Sequence, residues 1–131
     1  MNSTVKLEKI LYCEDEPDIQ TIVQMALEMI GGFNVCICSS GKEAIAAAPD
    51  FAPQLVLLDV MMPEMDGPTT FQELKKHAGM ANIPVVFMTA KAMADEISEL
   101  KKLGAADVIP KPFDPMSLPD KIREIWTQHQ A

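Results

Sequence analysis

Positive charge is scarce in this chain. Eleven lysines and arginines stand against 19 aspartates and glutamates, a formal net charge of -8 over 131 residues. A nucleic-acid surface begins with a basic patch, so direct contact with nucleic acid is not expected. Long apolar runs are also missing. None approaches the ~18 residues that a membrane-crossing helix needs, and no membrane span is expected. The opening Met1-Asn2-Ser3-Thr4-Val5-Lys6 has neither the apolar centre nor the cleavage site of a signal peptide, which points to the cytoplasm. Cysteines number only three, too few and odd for a disulfide framework. Cys13, Cys36 and Cys38 fall in apolar strand-like runs and are expected as reduced, buried thiols. Cys36 and Cys38 would share a strand face, but no second pair completes a four-ligand metal site. Internal repeats, linkers and low-complexity tracts are lacking as well.

What is present suffices for one domain spanning residues 1–131, with 48% hydrophobic content. The chain is organised around Leu55-Val56-Leu57-Leu58-Asp59. Four apolar residues in a row suit a strand buried on both faces, and they end in a carboxylate. An earlier strand over Leu7 to Cys13 ends on Glu14-Asp15-Glu16. Pro17 suits a first helical position, and Ile19, Ile22, Val23, Ala26, Leu27 and Ile30 recur at helical spacing up to Gly31-Gly32. Phe33 to Cys38 alternates as a strand. Ser40 and Glu43 have capping-box spacing ahead of an Ala-rich helix expected to end near Pro49. After Asp59 comes a turn-rich loop, then a helix with Phe71 and Leu74 inward and Lys75-Lys76 outward. Ile83 to Met88 is a fourth strand, ending in Thr89. Met93, Ile97, Leu100 and Leu103 mark a helix closed by Gly104, and Ala106 to Ile109 a fifth strand closed by Pro110-Lys111-Pro112. A last helix buries Ile122, Ile125 and Trp126, with its start left open by Pro119. Five strand–helix repeats imply an α/β fold with a parallel sheet covered on both faces.

In such a sheet Glu14, Asp15, Asp59, Thr89 and Lys111 all fall at carboxyl ends of strands, the edge where ligands bind. Two like charges ~4 Å apart repel by about 4 kcal/mol at an effective dielectric near 20, so gathered carboxylates call for a proton or a cation. Oxygen-only ligands at a shallow edge suit Mg²⁺. Asp59 is then a candidate nucleophile toward a phosphoryl group, with Lys111 as a point charge and Thr89 as a hydrogen-bond partner.

Ile10-Leu11-Tyr12-Cys13-Glu14-Asp15-Glu16-Pro17, the stretch from Leu57 through Asp59 to Gly67, Met88-Thr89-Ala90 and Lys111-Pro112-Phe113 together resemble the receiver domain of bacterial two-component response regulators. The resemblance covers essentially the whole chain. It implies a flavodoxin-like (βα)5 three-layer sandwich with strand order 2-1-3-4-5. It also implies that Asp59 accepts a phosphoryl group from a sensor histidine kinase or a histidine phosphotransfer domain. By the same resemblance Mg²⁺ would be held by Asp15, Asp59 and the Met61 backbone carbonyl, with Glu14 acting through water. Thr89 and Lys111 would contact the phosphoryl group, Lys111-Pro112 would be cis, and a downstream protein would read helix four, strand five and helix five. Turnover of a separate substrate is not expected, so the chain is not classed as an enzyme. Two residues depart from the family pattern: Glu14 stands where Asp is common, and Val108 where many receivers carry Tyr or Phe.

Two alternatives remain at this point. A Mg²⁺-dependent aspartyl-phosphate hydrolase would use Asp-x-Asp, whereas Asp59 is followed by Val60 and Met61. A receiver-like binding module that is never phosphorylated would have no need of Asp59, Thr89 and Lys111 together. No Gly-x-Gly-x-x-Gly supports dinucleotide binding. His77 and His129 read as surface residues. The chain is expected to be a stand-alone receiver or a piece of a longer protein.

Overall fold

The structure, a computed structural model, describes residues 5–77 and 79–130. Strands β1 (Lys9–Cys13), β2 (Asn34–Cys38), β3 (Leu55–Asp59), β4 (Val85–Thr89) and β5 (Asp107–Pro110) alternate with helices α1 (Pro17–Met25), α2 (Gly41–Phe51), α3 (Gly67–Lys75), α4 (Ala94–Leu103) and α5 (Leu118–Gln130). All four pairings are parallel, and the sheet runs β2-β1-β3-β4-β5. The expected α/β class and 2-1-3-4-5 order are both present.

Strand alternation divides the interior into two layers. Ile10 and Tyr12, Leu55 and Leu57, Val86 and Met88, and Ile109 meet Val23, Leu27, Leu118, Ile122 and Ile125, so α1 and α5 cover one face. Leu11 and Cys13, Val56 and Leu58, Val85 and Phe87, and Val108 meet Ala44, Ala48, Phe71, Leu74 and Leu100, so α2, α3 and α4 cover the other. Every residue of β3 and of β4 is buried, as strands covered on both faces require.

Several elements differ from the expected ones for local physical reasons. The first helix changes at Met25 into a wide turn over Ala26–Ile30, where Gly31 N–H donates to the Ala26 carbonyl five residues back. The widened turn rotates Ile30 off the apolar stripe, leaving it 48% exposed; Ile22, at the stripe's edge, is 47% exposed. Helix α2 runs past Pro49 to Phe51 and stops where Ala52 turns left-handed, at φ 54°. Pro49 removes one late hydrogen bond, which the burial of Ala44 and Ala48 outweighs. Ser40 caps this helix as expected, accepting from Glu43 N–H. Lys75 does not point outward. Its Nζ donates to the Ala81 and Ile83 carbonyls at 2.8 and 3.1 Å and lies over the Phe71 ring, and burial lowers its pKa. Helix α5 begins at Leu118, so Pro119 lies in the first turn, where its missing N–H costs nothing.

Two glycines matter to the site. Gly104 ends α4 at φ 115°, a conformation that side chains disfavour. Gly67 starts α3 against the end of β3: a Cβ there would lie 2.4 Å from the Asp59 carbonyl oxygen. That contact lets the helix close over the strand end.

All three cysteines are free, with Cys13 and Cys38 buried. Burial, then nearby Glu14, pushes the Cys13 thiol up to about 12, so it stays protonated. His77 and His129 are exposed, His129 stacking on Trp126. Among the described residues, no helix is long and apolar enough to cross a membrane.

Candidate functional site: an acid–lysine cluster at the sheet edge

The register of β1 and β3 pairs Cys13 with Leu58, so one step further sets Glu14 beside Asp59. Both side chains are buried, Glu14 fully and Asp59 to 4% exposure. Asp15 follows, half-buried, and one carboxylate oxygen from each of Glu14, Asp15 and Asp59 lies within 4.8 Å of the others. Lys111 reaches this group from the loop after β5. Its ammonium lies 2.8 Å from Asp59 Oδ1 and donates to Glu14 Oε1 at 2.9 Å. The Lys111-Pro112 peptide is cis.

The arrangement leaves negative charge in excess: three carboxylates cluster together, and one ammonium bridges two of them, Glu14 and Asp59. Burial pushes the Asp59 and Glu14 carboxyls above the usual range, and the hydrogen bonds from Lys111 pull both part of the way back. Asp15 adds to the rise at Asp59, and Asp59 to the rise at Glu14. For Lys111 burial works to lower the pKa, but its bonds to Asp59 and Glu14 prevail and hold it above the ordinary lysine range. Clustered hard oxygen donors with uncompensated charge fit a divalent cation such as Mg²⁺.

Thr89 ends β4, next to β3 and almost fully buried. Its Oγ1 accepts 3.0 Å from the Lys91 N–H, leaving the hydroxyl proton free to donate. Met61 lies two residues beyond β3 with an exposed side chain. Val108 is buried in β5, paired with Phe87, so a small aliphatic group fills the place noted in the sequence. Two contributors were not legible in the sequence. Gln20, in α1, donates to the Glu14 carbonyl and to Ser39 Oγ, and the Glu16 N–H donates to Glu14 Oε2 at 3.2 Å. Both hold the loop after β1. A helix-face glutamine and a backbone amide carry no signal that spacing could reveal.

A doubly covered parallel sheet whose carboxyl edge gathers three acids and a lysine defines a flavodoxin-like domain, a fold in which that edge is the usual place for a ligand. The chain belongs to the response regulator receiver domain family, whose family model matches residues 10–123. It is 40% identical over 119 residues to a probable transcriptional regulator ycf27 of Guillardia theta, covering 90% of this chain and 45% of that protein. It is 34% identical over 122 residues to response regulator Rre1 of Synechocystis, covering 93% of this chain and 53% of that protein. Among solved structures, the Vibrio cholerae chemotaxis protein CheY4 matches with a TM-score of 0.85 and 25% identity, covering 92% of this chain and 99% of that one. The chain thus spans about half the length of the curated relatives it matches. It is a receiver domain of two-component signalling. The expectation of no nucleic-acid partner finds no support in relatives named as transcriptional regulators.

Proposed function

We propose that Asp59 is a phosphoacceptor, taking a phosphoryl group from a phosphohistidine on a sensor histidine kinase or histidine phosphotransfer domain. The observation that carries this reading is the Asp59 carboxylate at a rigid strand end, 2.8 Å from Lys111 and clustered with Glu14 and Asp15. An Asp59 carboxylate oxygen attacks phosphorus, the phosphorus–nitrogen bond to the imidazole breaks, and the histidine leaves with that electron pair. Asp15, Asp59 and the Met61 carbonyl would hold Mg²⁺, with Glu14 acting through water. The ion would offset negative charge on the transferring oxygens.

Lys111 pairs with a phosphoryl oxygen in the product, and the Thr89 hydroxyl donates to another. Leaving its present bonds draws β4 and the loop after β5 toward Asp59. The face made by α4, β5 and α5 then takes a second arrangement, which a downstream protein reads. A groove of about 350 Å³ beside the site suits the phosphodonor: Ile19, Ile22, Ala90, Pro112 and Phe113 line it together with Lys111. The domain is proposed to act in the cytoplasm and to turn over no separate substrate. Control of transcription, suggested by the relatives' names, would use nucleic-acid contacts outside this acidic domain. The test is borohydride trapping after exposure to a small-molecule acyl phosphate and Mg²⁺. Reduction converts an acyl phosphate on Asp59 to homoserine at that position, whereas a label at another residue would refute the assignment.

A further inference from the structure

The phosphoacceptor cluster leaves one concave surface of the molecule without a role. Between the start of α3 and α4 lies a groove of about 510 Å³. Its apolar lining is Val60, Pro68, Leu100 and Leu103. Val60 and Leu100 are buried and form the floor, while Leu103 is 39% exposed at the rim. The other lining residues are Asp95, Glu96 and Glu99, all acids and all from α4. None of the lining comes from β5 or α5, so the groove is separate from the α4, β5 and α5 face assigned to the downstream reader. The floor is held in place: Val60 N–H donates to the Met88 carbonyl, and the Val60 carbonyl accepts from the Gly67 N–H.

Charge selects what can enter. Among the described residues Asp95 and Glu96 form no ion pair, and Glu99 has only a solvent-exposed contact with Lys102 at 3.9 Å, a pairing worth little. The acids therefore make an unneutralised rim beside an apolar floor. A nucleic acid or an anionic membrane would be repelled there, and a second copy of this chain, with its own net charge of -8, is disfavoured too. A cationic amphipathic segment satisfies both features, with its apolar face on the floor and its lysines or arginines on the rim. Helical spacing matches as well. Leu100 and Leu103 recur one turn apart along α4, as do Glu96 and Glu99, a rhythm of about 5.4 Å that a second helix lying alongside also offers. Met61, next in sequence to Val60, and Met93, next to the start of α4, are 64% and 69% exposed. Adaptable apolar side chains left in solvent beside the lining residues enlarge the surface a partner can cover.

We propose that the groove between α3 and α4 docks a basic amphipathic helix of a partner protein. The helix buries Leu103 and covers Val60 and Leu100, and its cations pair with Glu96 and Glu99. The inference does not depend on the phosphoacceptor reading. Docking there leaves the surface of β5 and α5 free for a second protein.

The full chain is titrated against a labelled synthetic helix of about three turns, with leucines along one face and lysines on its flanks, and binding is read by fluorescence anisotropy. The helix is expected to bind. A scrambled peptide of the same composition, whose leucines no longer share a face, is expected to bind about 10-fold more weakly. Glu96→Lys and Leu103→Gln are each expected to weaken binding of the helix about 10-fold. Glu28→Lys makes the same charge change beyond α1, on the other side of the sheet, and is expected to leave affinity within about 2-fold. No binding, equal binding of the scrambled peptide, or equal weakening by Glu28→Lys would overturn the proposal. If one groove variant does not fold, the other decides. The wild type carries a test of its own: amide exchange is expected to slow in α4 and at the start of α3 when the helix binds, and protection confined to other elements would overturn the site. A dimer of the chain alone that Glu96→Lys dissolves would give the groove to a second copy and overturn the basic helix as its occupant.

Discussion

Lys111 and Glu14 lie 97 residues apart in the chain and meet at 2.9 Å, with the lysine's other short contact on Asp59. Two buried carboxylates share one cation. The acids therefore sit at the sheet edge at a net cost to the fold that a ligand would offset.

That cost is measurable. Because burial raises the Asp59 pKa above its unfolded value, the charged form destabilises the fold at pH values above the raised pKa. Asp59→Asn is expected to melt higher than wild type in metal-free buffer at neutral pH, by on the order of 1 kcal/mol or about 3–5 °C. The advantage should vanish as pH falls through the raised pKa and Asp59 becomes neutral in wild type as well. Melting curves across pH 4 to 8 check both halves, and a variant that melts lower at neutral pH contradicts the argument.

Lys111 has opposite effects on the two ligands of the site. Removing its charge leaves the carboxylates more negative, so Lys111→Ala should bind Mg²⁺ more tightly, by roughly 5-fold. The same variant should hold the phosphoryl group less well and lose the output response. Calorimetric titration with Mg²⁺ and the phosphoryl half-life give the two numbers. Weaker Mg²⁺ binding would show that the lysine's main task is to build the site.

Gly67→Ala tests the closure of α3 on β3. Its added Cβ would lie 2.4 Å from the Asp59 carbonyl and 2.9 Å from Val60 Cα, with backbone atoms that cannot turn aside. A loss of about 1–3 kcal/mol is expected, together with slower phosphorylation as Asp59 is displaced. Thermal melts and phosphorylation time courses report the two effects, and a neutral substitution would mean that the helix start yields easily.

Val108→Tyr addresses the output face. Val108 is buried in one cluster with Phe87 and Leu100, so a larger ring must displace α4 or turn outward. Affinity for the downstream partner should change more than the phosphorylation rate. Equal effects on both would refute that division of labour.

Much of this was legible in the sequence because the fold places chemistry at strand ends. Apolar runs that stop on Glu14, Asp59, Thr89 and Lys111 give both the strands and the edge, and parallel connections bring those ends together. Spacing did not reveal the wide turn after Met25, which depends on how Phe33 and α5 pack against the end of α1. Nor did it reveal the inward turn of Lys75, whose partners are the carbonyls of a loop. The bridge from Lys111 to Glu14 was missed because the lysine was assigned to the phosphoryl group, with no account of which carboxylates hold it beforehand.

The most direct test of the central claim is intact-mass spectrometry of the chain after incubation with acetyl phosphate. With Mg²⁺, wild type should gain the mass of one phosphoryl group, and Asp59→Asn or a chelated sample should gain none. Equal labelling of wild type and Asp59→Asn, or labelling indifferent to Mg²⁺, would contradict a metal-assisted phosphoacceptor at the end of β3.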